Sequence, residues 1–261
     1  MQTLRGPGFA DLPAAVRQGR MPTDELAALV DHMGASLAAA GITLNLAPVV
    51  DVVPEGTEDA NAPIGAYGRE YDTTPEAVRA AAGTVADALA EHGVTPTLKH
   101  FPSLGRVKEN PDESANVADT VTTWDDPQVA TFGELARSDA DPFVMTSSAT
   151  YLQIDPSAPA MFSRAVVTDL LRDELGFDGV VISDDVGAAQ AVQDVPVGER
   201  AVRFLDAGGT LVLTVSPDTV PEMIDAVLAR AESDPAFSAR VDDAVRTALT
   251  AKAHAGLLAE A

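Results

Sequence analysis

The run Gly179-Val180-Val181-Ile182-Ser183, followed at once by Asp184-Asp185, restricts the fold more than any other stretch. Val and Ile between glycines, without polar alternation, describe a strand buried on both faces, as in a parallel sheet covered by helices. A carboxylate at the C-terminal end of such a strand lies where α/β barrels carry their chemistry. Placing that much negative charge there for stability alone is costly. Asp184 therefore reads as the reactive group of an enzyme scaffold.

The rest of the chain alternates in the same way. Thr23 is expected to cap a helix with Leu26, Leu29, Val30, Met33 and Leu37 at helical spacing, ended by Gly41. Residues 42–51 read as a buried strand running into Pro48. Thr74 and Pro75 open a second helix that stops before Gly93, and Val94 to His100 is the next strand. A charged loop, Ser103 to Thr120, leads to a helix over 127–138 and a strand over 142–147. Ser163 caps a helix through Leu170, Leu171 and Leu175. A helix over 199–207, a strand over 210–215 and two helical segments, 221–233 and 238–258, complete the chain. Strands spaced by helices imply βα units with right-handed crossovers. The expected architecture is a single TIM-type (β/α) barrel domain over residues 1–261, with about five good strands where closure needs eight.

Composition sets outer bounds. Among 261 residues, 46% are hydrophobic, enough for a core, and there is no cysteine to supply a disulfide or thiolate. No apolar stretch approaches the roughly 18 residues that span a membrane. The net charge of −23 argues against nucleic acid, because phosphate binding needs a basic patch. It otherwise describes a solvated surface.

Several residues besides Asp184 sit where chemistry is possible. Lys99 and His100 end a strand and can hold ligand hydroxyls or anionic groups; an ion pair and a structural histidine are the equal alternative. Arg69 follows the 42–51 strand and can fork onto a carboxylate or sugar oxygen, although a solvated loop arginine is commoner. Asp51 can orient ligand or the neighbouring Arg and Lys, with turn capping the commoner role. Asp112 and Glu113 lie in the charged loop, where an acid can reach over a ligand or remain in solvent. Trp124 reads as a packing residue. No Walker loop, dinucleotide fingerprint or zinc motif appears.

Taken together, Asn45-Leu46-Ala47-Pro48-Val49-Val50-Asp51-Val52, Lys99-His100-Phe101-Pro102-Ser103-Leu104-Gly105 and the 176–185 segment resemble glycoside hydrolase family 3. The resemblance is to its bacterial β-N-acetylhexosaminidase branch and covers nearly the whole chain. Leu4-Arg5-Gly6-Pro7-Gly8-Phe9 and the 204–215 region look like that branch as well. The resemblance implies a retaining glycosidase without metal or organic cofactor, acting on terminal β-linked N-acetylhexosamine of cell-wall or chitin-like oligosaccharides. It implies Asp184 as the nucleophile, with Arg69, Lys99 and His100 around the terminal sugar and Asp185 shaping the pocket. Such a mechanism needs an attacking carboxylate and a proton donor roughly 5 Å apart.

Two features depart from the family pattern. The loop after the Lys-His-Phe-Pro turn usually carries an Asp-Ser-His set; here residues 105–116 contain no histidine, which leaves Asp112 as the candidate acid/base and Glu113 as second choice. Thr146-Ser147-Ser148 likewise stands where a histidine is common. The second departure is the lack of an Asp-Gln-Glu-Gly-Gly segment, and of about three strands, before Gln2. The expectation is an N-terminally truncated barrel, a mis-started frame or a barrel completed by another chain. Open edges of that kind invite self-association. Two alternatives follow: a catalytically inactive or sugar-binding relative, and a Schiff-base lyase using Lys99. The compartment stays open, with the cell envelope, the exterior and the cytoplasm all compatible.

Overall fold

Five parallel strands, each followed in the chain by helix, build one curled sheet that gathers the polar strand ends on one side. A computed structural model describes residues 6 and 9–258. Most of the Leu4–Phe9 resemblance falls outside the described residues. The principal elements are α1 (Thr23–Ala39), β1 (Leu44–Asn45), α2 (Pro75–Glu91), β2 (Thr95–Phe101), α3 (Pro127–Ala136), β3 (Phe143–Thr146), α4 (Ala165–Glu174), β4 (Val181–Asp185), α5 (Val197–Asp206), β5 (Leu211–Leu213), α6 (Val220–Ser233) and α7 (Pro235–His254). The strands lie in the order β1-β2-β3-β4-β5, all parallel. This is the half-barrel that the strand count anticipated.

Local chemistry explains most element boundaries. The Thr74 hydroxyl accepts from the Ala77 N–H, and Pro75, which has no N–H to lose, starts α2. Asp126 does the same for α3 by accepting from Gln128 N–H. Thr23 differs from expectation. It is already helical, Pro22 occupies the cap position and no side chain caps α1. Ser163 accepts from the Val166 N–H, as expected of a cap, but α4 then winds as a π-helix, with the Leu175 N–H reaching back to the Leu170 carbonyl.

The core lies between sheet and helices. Val85 and Leu89 of α2, Leu98 and Phe101 of β2, Phe132 of α3, Val144 of β3 and Val181 of β4 are all essentially solvent-free. Phe101 meets Phe132 edge to face, with centroids 5.5 Å apart and planes at 83°. Trp124 packs partly buried against this core, as expected. The 42–51 stretch forms only a two-residue strand and an isolated bridge from Val49 to Lys99, because Pro48 between them cannot donate to a ladder. It still follows β2: Thr97 N–H donates to Ala47 O, and Val50 N–H to Lys99 O. A small three-stranded sheet, Ala118–Asp119, Thr150–Tyr151 and Asp155–Pro159, was not expected. It anchors the far end of the charged loop beside β3.

Candidate active site

The segment after β1 and the last residues of β2 and β4 bring Asp51, Lys99, His100, Asp184 and Asp185 to the C-terminal edge of the sheet. Parallel strands in register all end on the same side, so sequence-distant side chains converge there.

Asp51 is fully buried and His100 nearly so. One Asp51 oxygen, Oδ1, accepts from the main-chain N–H groups of His100 (3.1 Å) and Leu104 (2.7 Å). The other, Oδ2, lies 2.7 Å from His100 Nδ1. Asp51 thus caps a turn, the commoner of its expected roles, and also holds the histidine ring. The turn is packed closely: a Cβ on Gly105 would stand 1.9 Å from the Val52 carbonyl oxygen. Tyr151 Oη donates to the Ser103 carbonyl at 2.6 Å, fixing the same turn from the β3 side.

Asn61 is a positioning residue that sequence reasoning missed. Its amide donates to the Leu104 and Val107 carbonyls (2.8 and 2.7 Å), while its Oδ1 accepts from Ile64 and Gly65 N–H. It staples the Arg69-bearing segment to the β2 turn. Its only sequence signal was a lone Asn in a loop. Arg69 itself donates to the Pro63 carbonyl at 2.7 Å and is half-buried.

Electrostatics tie these groups together. The Lys99 amine is pushed down to about 8, first by burial and then by the Arg69 charge, against the pull of Asp184, Asp51 and Asp112. Asp112 is raised above the ordinary carboxyl range, first by burial and then by the charge of Asp184, with Asp185 adding and His100 and Arg69 opposing. Asp112 is nonetheless exposed, so solvent screens much of the hold its surroundings have on it. Glu113 is exposed and accepts from the Asn110 amide at 3.4 Å.

Asp184 is half-buried and accepts from the Asp185 N–H at 2.9 Å. Asp185 spends both oxygens on main-chain donors: Gly187, Ala188 and Val215 N–H, each at 2.9 Å. It locks the turn after β4 to the end of β5. Arg200, a second residue the sequence did not single out, is buried under that turn and donates to the carbonyls of Val186, Gly187, Gln193 and Val195. Two carboxyl groups in unlike surroundings, with an ammonium and a guanidinium beside them, can divide attack and proton donation. Among the described residues, no three His, Asp or Glu side chains gather as a metal site. Among the described residues, no helix is long and apolar enough to cross a membrane.

The chain belongs to glycosyl hydrolase family 3: the model of that family's N-terminal domain matches residues 8–251. The chain is 34% identical over 240 residues to the beta-hexosaminidase of Stenotrophomonas maltophilia, covering 85% of this chain and 66% of that protein. It is 35% identical over 222 residues to the beta-hexosaminidase of Xanthomonas oryzae pv. oryzae, covering 80% and 61%. The chain thus spans just under two thirds of the length of these relatives. Among solved structures, the beta-N-acetylhexosaminidase from Beutenbergia cavernae is 49% identical with a TM-score of 0.92, covering 97% of this chain and 75% of that one. M tuberculosis LpqI is 29% identical with a TM-score of 0.82, covering 92% and 70%.

Proposed function

We propose that this chain carries the catalytic site of a retaining glycoside hydrolase that releases terminal β-linked N-acetylhexosamine from oligosaccharides of the cell-wall or chitin type. The observation that carries the reading is that the main chain at Pro111 and Asp112 is hydrogen-bonded to Gln190 and Ala191, just past the strand end that bears Asp184. One carboxylate is fixed at the end of β4, and its charge helps keep a proton on the other. In this mechanism Asp184 attacks the anomeric carbon as Asp112 gives its proton to the departing oxygen. Water then cleaves the glycosyl-enzyme, with Asp112 taking the proton back. Lys99, Arg69 and His100 hold the sugar's hydroxyls. The names of the relatives, beta-hexosaminidase and beta-N-acetylhexosaminidase, support the choice of sugar.

Asp184→Ala should abolish hydrolysis of an aryl β-N-acetylglucosaminide. A variant that kept most of its rate would remove the mechanism. A second reading, a sugar-binding relative without turnover, is favoured by the histidine-free loop over 105–116. Calorimetry with N-acetylglucosamine beside the hydrolysis assay separates the two, since binding without turnover selects the second.

The described residues act in this reading as one catalytic unit that associates with itself through its open side. β5 is an edge strand, and Val220, Ile224 and Leu228 form an exposed apolar stripe on α6. Sedimentation should show concentration-dependent association; a monomer throughout would contradict it.

A further inference from the structure

Asp51 holds more than a turn requires. A turn cap needs one acceptor for main-chain N–H groups, and Oδ1 supplies it to His100 and Leu104. Oδ2 is left over, and the fold spends it on His100 Nδ1 at 2.7 Å with both residues buried. An ionised carboxylate only accepts, so Nδ1 carries the hydrogen of this contact. In the neutral ring Nε2 is then bare, an acceptor.

We infer that Asp51 is a positioning residue of the sugar site, fixing His100 as the Nδ1–H tautomer and so presenting Nε2 as a hydrogen-bond acceptor to a sugar hydroxyl. The inference rests on the glycosidase reading for its functional half and on geometry alone for its tautomer half. Ring orientation and tautomer are both set from behind by the buried carboxylate, as a second group does for any histidine that works with one nitrogen.

The division of labour between the two oxygens makes the idea testable with one atom changed. In Asp51→Asn the main-chain N–H groups of His100 and Leu104 still demand an acceptor, so the amide oxygen takes the Oδ1 place. The amide NH2 then faces Nδ1, which can satisfy it only by losing its hydrogen. The turn clamp survives while the tautomer inverts to Nε2–H. A merely structural role for Asp51 would leave this variant close to wild type; a positioning role would not, since a wrong tautomer disables a histidine site.

The experiment is nitrogen-15 NMR of histidine-labelled chain in mildly alkaline buffer, beside hydrolysis of an aryl β-N-acetylglucosaminide. The expected result is protonated Nδ1 and bare Nε2 in wild type and the reverse in Asp51→Asn. The variant should keep native circular dichroism and lose at least about 30-fold in kcat/KM. His100→Ala should lose a similar amount, and Asp51→Asn with His100→Ala no more than His100→Ala alone. A wild-type ring already protonated at Nε2 overturns the inference. So does an inverted ring whose kcat/KM stays within about threefold of wild type, or full additivity of the two substitutions. A wild-type chain that hydrolyses no glycoside counts against the glycosidase reading instead, and the spectra still decide whether Asp51 sets the tautomer.

Discussion

The main-chain N–H of Gln190 donates to the carbonyl oxygen of Asp112 at 3.3 Å, and beside it the Ala191 N–H donates to the Pro111 carbonyl at 3.0 Å. The segment carrying one carboxyl group is thus laced to the turn that follows the other. The position of Asp112 is tied to the turn after β4 as well as to its own loop.

That relationship makes Arg200 a distant support of Asp112, the proposed proton donor. Buried under the turn, it satisfies the carbonyls of Val186, Gln193 and Val195, which no other side chain among the described residues reaches, and shares that of Gly187 with the Gln193 amide. Arg200→Met should leave the first three carbonyls unpaired and cost about 3 kcal/mol of stability, seen as a lower midpoint in urea. On the proposed mechanism its kcat should fall more than its KM rises, because Asp112 is displaced while Lys99, His100 and Arg69 stay in place.

Asp112 offers a prediction with a fixed sign. Its raised carboxyl holds a proton in the fold at a pH where the unfolded chain has released it. Stability from this group is present below the ordinary carboxyl range and is lost as pH rises through the folded value. Asp112→Asn should therefore gain stability relative to wild type at pH 7 but not at pH 3, measured by chemical denaturation. Its kcat on an unactivated glycoside should drop about 10²–10⁴-fold, with a smaller loss for a nitrophenolate leaving group that needs no proton.

Lys99 titrates in the opposite sense. With its amine lowered from 10.5 to about 8, the unfolded chain binds the extra proton between those values, so this group adds stability as pH rises through that window. Below pH 8 the half-buried ammonium is a net cost. Lys99→Met should raise stability at pH 7 by about 2 kcal/mol after allowance for solvent screening, an advantage that fades above pH 10. The same change should lower kcat/KM by about 100-fold. Wild-type kcat/KM should fall on the alkaline side with a midpoint near 8, and a flat profile to pH 10 would show that the ammonium is not needed.

The outline of the fold was legible because its signals are local. Thr74-Pro75 announces α2, and the uninterrupted Val180-Val181-Ile182 announces a strand covered on both faces. The small sheet was not legible, since paired stretches as short as Ala118–Asp119 carry no period. The π-winding of α4 shares its apolar spacing with an ordinary helix. At the site, Asp184, Lys99 and His100 were visible as strand ends. The hold of Asp51 on His100 spans 49 positions and leaves no local trace. Arg200 and Asn61 act on carbonyls brought to them by the fold, and no composition or spacing marks that.

The central claim is a covalent bond between Asp184 and the sugar. Incubation with a fluorinated N-acetylglucosaminyl donor that slows the second step, followed by peptide mass mapping, tests it directly. The account predicts one glycosyl adduct on the peptide containing Asp184 and none in Asp184→Ala. An adduct on Asp112, or turnover of the donor without any adduct and with inverted product, would contradict it.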